Sequence, residues 1–150
     1  LKAWKNFREH KNSNLKLPSG FELTILATNN YVDADNLDEA FRETVKEIDK
    51  ELNKYNGFKC LRPTTPENED VFESYSETRK SDFLSTLKNL KEDCVKASEE
   101  KNFKKASEIL IDKQFGTRFP KGEDKDEQSK SNALKVSLAA ASIKPKPYAY

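Results

Sequence analysis

In Leu37-Asp38-Glu39-Ala40-Phe41-Arg42-Glu43-Thr44-Val45-Lys46-Glu47-Ile48-Asp49-Lys50-Glu51-Leu52-Asn53-Lys54-Tyr55, the apolar residues Leu37, Phe41, Val45, Ile48, Leu52 and Tyr55 recur at spacings of three and four. That period belongs to a helix with one buried stripe, and the charged residues between fall on its solvated faces. The polar run Asp33-Ala34-Asp35-Asn36 precedes the helix, and Gly57, tolerant of positive φ, is expected to stop it.

Upstream, Leu1, Trp4 and Phe7 share one helical stripe that ends in Asn12-Ser13-Asn14, and the segment reads as the tail of a longer helix. Phe21, Leu23, Ile25 and Ala27 alternate as a strand would, and a helix buried on most sides fits them equally. Downstream, prolines stiffen Cys60-Leu61-Arg62-Pro63-Thr64-Thr65-Pro66. A helix starting at Pro66, capped by Thr65, or at Ser76 then runs to Glu100 with Phe83, Leu87, Leu90, Cys94 and Ala97 on the face turned to the preceding helix. A short helix holding Phe103, Ala106, Ile109 and Leu110 is closed by Gly116. The expected architecture is all-α, a bundle of about five helices over residues 1–120. A flexible tail follows over 121–150, too poor in apolar groups to offset its ordering entropy before a weakly apolar patch at Ala133 to Ile143.

Charged residues make up 35% of the chain, yet Lys plus Arg, 27, nearly cancels Asp plus Glu, 26, so no polybasic nucleic-acid surface is expected. Cys60 and Cys94 belong to no C-x-x-C pair, which leaves zinc and redox motifs unsupported and makes the reducing cytosol the natural setting. No stretch approaches the ~20 apolar residues of a membrane span, and a cytoplasmic protein is expected.

No glycine-rich phosphate loop, H-E-x-x-H or G-x-S-x-G occurs, and His10 has no evident ligand partners. Asp33 and Asp35 have D-x-D spacing, which on a strand can hold two magnesium ions, but just before a helix they read as capping and dipole-stabilising acids. Glu67, Glu69 and Asp70 read likewise, as acids in a first helical turn. What remains is Lys2 on the first helix and Ser19 at the start of the second. A helix N-terminus offers free N–H donors to phosphate, the serine adds a hydroxyl, and a nearby lysine adds a point charge. Surface lysines and N-cap serines are also ordinary features of helical proteins.

Leu1-Lys2-Ala3-Trp4-Lys5 followed by Leu17-Pro18-Ser19-Gly20-Phe21-Glu22-Leu23-Thr24-Ile25-Leu26-Ala27 resembles the C-terminal half of bacterial cyclic GMP-AMP synthase-like nucleotidyltransferases. These are the CBASS oligonucleotide cyclases, or CD-NTases, built on a DNA polymerase beta-like core. The resemblance continues through Cys60-x-Arg62-Pro63-Thr64-Thr65-Pro66-x-Asn68-Glu69-Asp70, Ser76-Glu77-Thr78-Arg79-Lys80 and Phe115-Gly116-x-Arg118-Phe119-Pro120.

The resemblance implies the helical C-terminal lobe of a cyclic oligonucleotide second-messenger synthase in antiphage defence. Nucleoside triphosphates would lie between this lobe and an N-terminal catalytic lobe outside the sequence. Lys2 matches the lysine that contacts the donor triphosphate, and Ser19 matches the serine on the same phosphates. Phe21 lies near a family aromatic that approaches a base, with core burial an equal alternative. Arg62 and Arg79 lie in matching strings with no role to carry over, and a salt bridge to a helix acid is their default. The catalytic Gly-Ser pair and the carboxylates holding Mg2+ belong to the other lobe, so no catalytic or metal residue is expected here and this portion alone is expected to be inactive. In some operons of the family a ubiquitin-transfer-like enzyme conjugates the cyclase C-terminus. The alternative function is therefore a helical interaction module whose tail, ending Pro147-Tyr148-Ala149-Tyr150, is bound or conjugated by such a partner.

Overall fold

A computed structural model describes residues 1–124. They form an all-α fold of five helices: α1 (Lys2–Lys11), α2 (Gly20–Asn29), α3 (Leu37–Leu52), α4 (Glu77–Glu99) and α5 (Phe103–Leu110). A π-helical turn (Ile111–Phe115) and a 3-10 turn (Gly116–Arg118) follow. The expected tail, its Ala133–Ile143 patch and its Tyr150 terminus lie outside the described residues, apart from the first few positions after Pro120.

Each of the last four helices starts on a side-chain cap. Ser19, Asn36, Ser76 and Asn102 accept from the backbone N–H three residues on, which satisfies one of the orphan donors of a helix start. For 19–29 the cap resolves the strand-or-helix ambiguity. Ser19 Oγ accepts from the Glu22 N–H, and the Glu22 carboxylate accepts from the Ser19 N–H at 2.6 Å, a reciprocal capping box. Once the helix is set, Leu23, Ile25 and Leu26 are buried while Phe21 turns outward, so the apparent alternation does not mark one face.

Val45, Ile48 and Leu52 of α3 and Phe83, Leu87 and Leu90 of α4 meet in one core with Trp4, Leu17, Leu23 and Phe72. The α3 stripe is shorter than its spacing implies. Leu37 and Tyr55 are 89% and 96% exposed, and the helix ends at Leu52 because Asn53 turns its side-chain amide onto the Asp49 carbonyl at 2.7 Å. Gly57 serves a different purpose from the expected stop. A Cβ there would sit 2.2 Å from the Glu51 carbonyl oxygen, so the glycine allows close backbone approach, and the positive φ falls on Asn56.

No helix begins at Pro66. Residues 61–75 are a structured connection in which one oxygen of Asp70 accepts from the backbone N–H groups of Cys60, 2.9 Å, and Phe72, 3.0 Å. The expectation of Glu67, Glu69 and Asp70 in a first helical turn is thereby overturned, since the Asp70 carboxylate organises the loop itself. The stacked rings of Phe58 and Phe72, with Tyr75 and Phe83 against them, anchor this connection to α4.

One polar chain crosses the core. The Trp4 indole N–H donates to Gln114 Oε1 at 3.0 Å, and Gln114 Nε2 donates to Asp93 Oδ2 at 2.7 Å, joining α1, the π-turn and α4. Gly116 closes that turn at φ 72°, with the Phe7 ring where a side chain would be. The packed chain continues to Gly122, whose N–H donates to Ser107 Oγ at 2.8 Å.

Candidate functional site at the start of the second helix

The loop between α1 and α2 is pinned from both sides. The Leu17 N–H donates to Glu9 of α1 at 2.9 Å, and Arg79 of α4 donates to the Lys16 and Leu17 carbonyls, each at 3.2 Å. Pro18 is buried behind Ser19, which itself stays at the surface. The N–H of Glu22 goes to the cap and that of Leu23 to the Ser19 carbonyl, whereas Gly20 and Phe21, the first two helical residues, have no intrahelical acceptor.

Lys2 comes from the opposite direction. Its methylenes run along Gly20, where a Cβ would lie 3.3 Å from Lys2 Cε and 3.5 Å from Cδ. The structure therefore brings the Lys2 side chain against Gly20, the first residue of the Ser19-capped helix, whose first two N–H groups have no intrahelical acceptor. Such an arrangement suits an oxyanion, because the helix dipole and the ammonium act in the same sense. Beside it a groove of about 680 Å³ runs between α2 and α3, floored by Leu23, Ala27, Phe41 and Val45, with Lys2 at its edge.

Phe21 is 54% exposed, so its alternative placement in the core is wrong. The Arg62 guanidinium covers its ring at 5.4 Å from the centroid, a cation–π contact, and Arg62 Nε lies 3.0 Å from a Glu69 carboxylate oxygen. The acid that pairs with Arg62 thus belongs to the loop and not to a helix. Arg79 pairs with no acid among the described residues. It stacks on the Tyr75 ring at 3.7 Å while holding the loop carbonyls.

Two residues of this region were not singled out in the sequence. The Glu22 carboxylate completes the cap and also accepts the Tyr75 hydroxyl at 2.8 Å. The Ser-x-x-Glu spacing of 19 and 22 signals the first of these bonds; nothing local signals the second, which spans 53 positions. Burial raises the Tyr75 phenol above its ordinary value, with the Glu22 hydrogen bond second, so the group is a donor at neutral pH. Burial likewise pushes the Cys60 and Cys94 thiols up to about 12, which makes them poor nucleophiles.

Asp33 and Asp35 are exposed on an irregular segment, and Asn36, not either acid, supplies the side-chain cap of α3. Among the described residues no three metal-ligating side chains gather. His10 is exposed at the end of α1, far along the helix from Lys2. No helix among the described residues is long and apolar enough to cross a membrane. The chain matches no protein-family model.

Proposed function

We propose that this chain is the nucleotide-binding helical lobe of a cytoplasmic cyclic oligonucleotide synthase of antiphage defence, and that Lys2 and Ser19 seat the triphosphate of a nucleoside triphosphate. The observation that carries the proposal is the meeting of the Lys2 side chain with Gly20, beside the Ser19-capped start of α2. The two residues matched by resemblance to phosphate contacts lie 17 positions apart in sequence and share one surface. Phe21 under Arg62 supplies an aromatic surface next to that seat, suited to a base.

In this reading the lobe contributes positioning and charge. Lys2 would offer three donors to phosphate oxygens, the N–H groups of Gly20 and Phe21 would add backbone donors at the helix start, and Ser19 can donate its hydroxyl proton while its oxygen keeps the cap. Nucleotidyl transfer would be carried out by a catalytic lobe outside these residues, whose own carboxylates would hold Mg2+.

Kinetics of the two-lobed protein test the assignment. Lys2→Ala removes one charge-assisted contact at an exposed site, about 1.4 kcal/mol, and should raise KM for the nucleoside triphosphate roughly tenfold with the fold intact. Unchanged kinetics in that variant refute it.

A further inference from the structure

We propose that Glu22 and Tyr75 are a positioning pair that holds Ser19 and the first turn of α2 in the attitude that receives the triphosphate, an inference resting on the nucleotide-binding reading above. One carboxylate oxygen, Glu22 Oε2, accepts both the Ser19 N–H at 2.6 Å and the Tyr75 hydroxyl at 2.8 Å. The exposed helix start is thereby tied to a buried side chain.

Tyr75 is only 6% exposed and its ring has little freedom. Phe72 lies 4.6 Å away between centroids, and the Arg79 guanidinium stacks 3.7 Å from the ring centroid. Arg79 in turn holds the Lys16 and Leu17 carbonyls, immediately before Pro18 and Ser19. The aromatic cluster therefore reaches the site along two routes, through Arg79 to the loop and through the Tyr75 hydroxyl to the cap. A further contact, from Cys60 Sγ to the Glu22 carbonyl at 3.6 Å, anchors the same turn from below.

The pair also resolves an electrostatic conflict. A carboxylate at the start of α2 repels a phosphate, and its attraction to the helix dipole would otherwise draw it over the free N–H groups of Gly20 and Phe21. The two hydrogen bonds commit Glu22 Oε2 to the Ser19 N–H and the Tyr75 hydroxyl. Neither residue touches the nucleotide in this arrangement; both act through Ser19.

The test uses the synthase with its catalytic lobe, measuring KM for a nucleoside triphosphate, kcat, and amide hydrogen exchange at Ser19 and Glu22. Tyr75→Phe keeps the ring and the Arg79 stack while removing the hydroxyl. It should raise KM five- to tenfold, leave kcat within twofold, and speed exchange at both amides. Glu22→Ala should do the same, and Glu22→Gln, whose amide oxygen can accept both bonds, should recover most of that loss. Wild-type KM in Tyr75→Phe and Glu22→Ala overturns the pair. So does a fall in kcat that tracks lowered thermal stability with no change in KM. Lys2→Ala, run alongside, separates the two claims: if it raises KM while Tyr75→Phe does not, only the positioning pair fails, and if neither does, the nucleotide seat itself fails.

Discussion

Replacing Gln114 with leucine should be far more damaging than a polar-to-apolar change at a surface. The side chain is fully buried, and both ends of its amide are used, by the Trp4 indole N–H at 3.0 Å and by Asp93 at 2.7 Å. Leucine fills similar space but orphans both partners. Among the described residues the indole N–H has no other acceptor, and leaving it unsatisfied in a buried site costs about 2 kcal/mol. Asp93 keeps Lys113 at 3.5 Å and Lys96 at 3.7 Å, so its loss is smaller, about 1 kcal/mol. The sum, about 3 kcal/mol, corresponds to a fall of roughly 10 °C in Tm for a domain of this size. Urea denaturation of the wild type, Gln114→Leu, Trp4→Phe and the double variant measures it. Because Trp4→Phe removes the orphaned donor in advance, the double variant should lose less than the sum of the two singles. A loss under about 0.5 kcal/mol in Gln114→Leu, or strict additivity, would refute the reasoning.

Gly116→Ala places a Cβ at φ 72°, ψ −171°, a region essentially confined to glycine, and 2.7 Å from the Phe7 ring; a loss of about 2–4 kcal/mol in the same assay is expected. The buried thiols predict alkaline sensitivity. Cys60 and Cys94 ionise near 9.0 when unfolded but only at about 12 when folded, so the folded state holds more protons between those values. Stability is then full below the unfolded value and falls as pH rises from 9.0 toward 12. Urea midpoints at neutral pH and well above pH 9.0 should differ less in a variant with both cysteines replaced by alanine, and an equal drop in the two proteins would contradict the assignment.

Much of this fold was legible because most helices carry their signals locally. The spacing of Val45, Ile48 and Leu52 and that of Phe83, Leu87 and Leu90 marks the faces that form the core. What escaped reading was set by tertiary contact. Helical spacing puts Leu37 and Tyr55 in the α3 stripe, but nothing in the spacing records that the helix begins one of them in solvent and unwinds before the other. Pro66 after Thr65 looks as good a helix start as Ser76, until Asp70 draws its loop around Cys60 and Phe72. A glutamine in the core is invisible to hydropathy, since its burial depends on Trp4 and Asp93 arriving from two other helices. At the candidate site Lys2 and Ser19 were readable as residue types, whereas their meeting at Gly20, the outward turn of Phe21 and the long reach of Tyr75 to Glu22 required the packed chain.

The most direct measurement is a titration of the isotopically labelled chain with a nucleoside triphosphate, followed by amide NMR. If the start of α2 is the triphosphate seat, the largest shifts fall on Ser19, Gly20 and Phe21 and are lost in Lys2→Ala. Saturable shifts centred elsewhere, or shifts at α2 that survive Lys2→Ala undiminished, would contradict it.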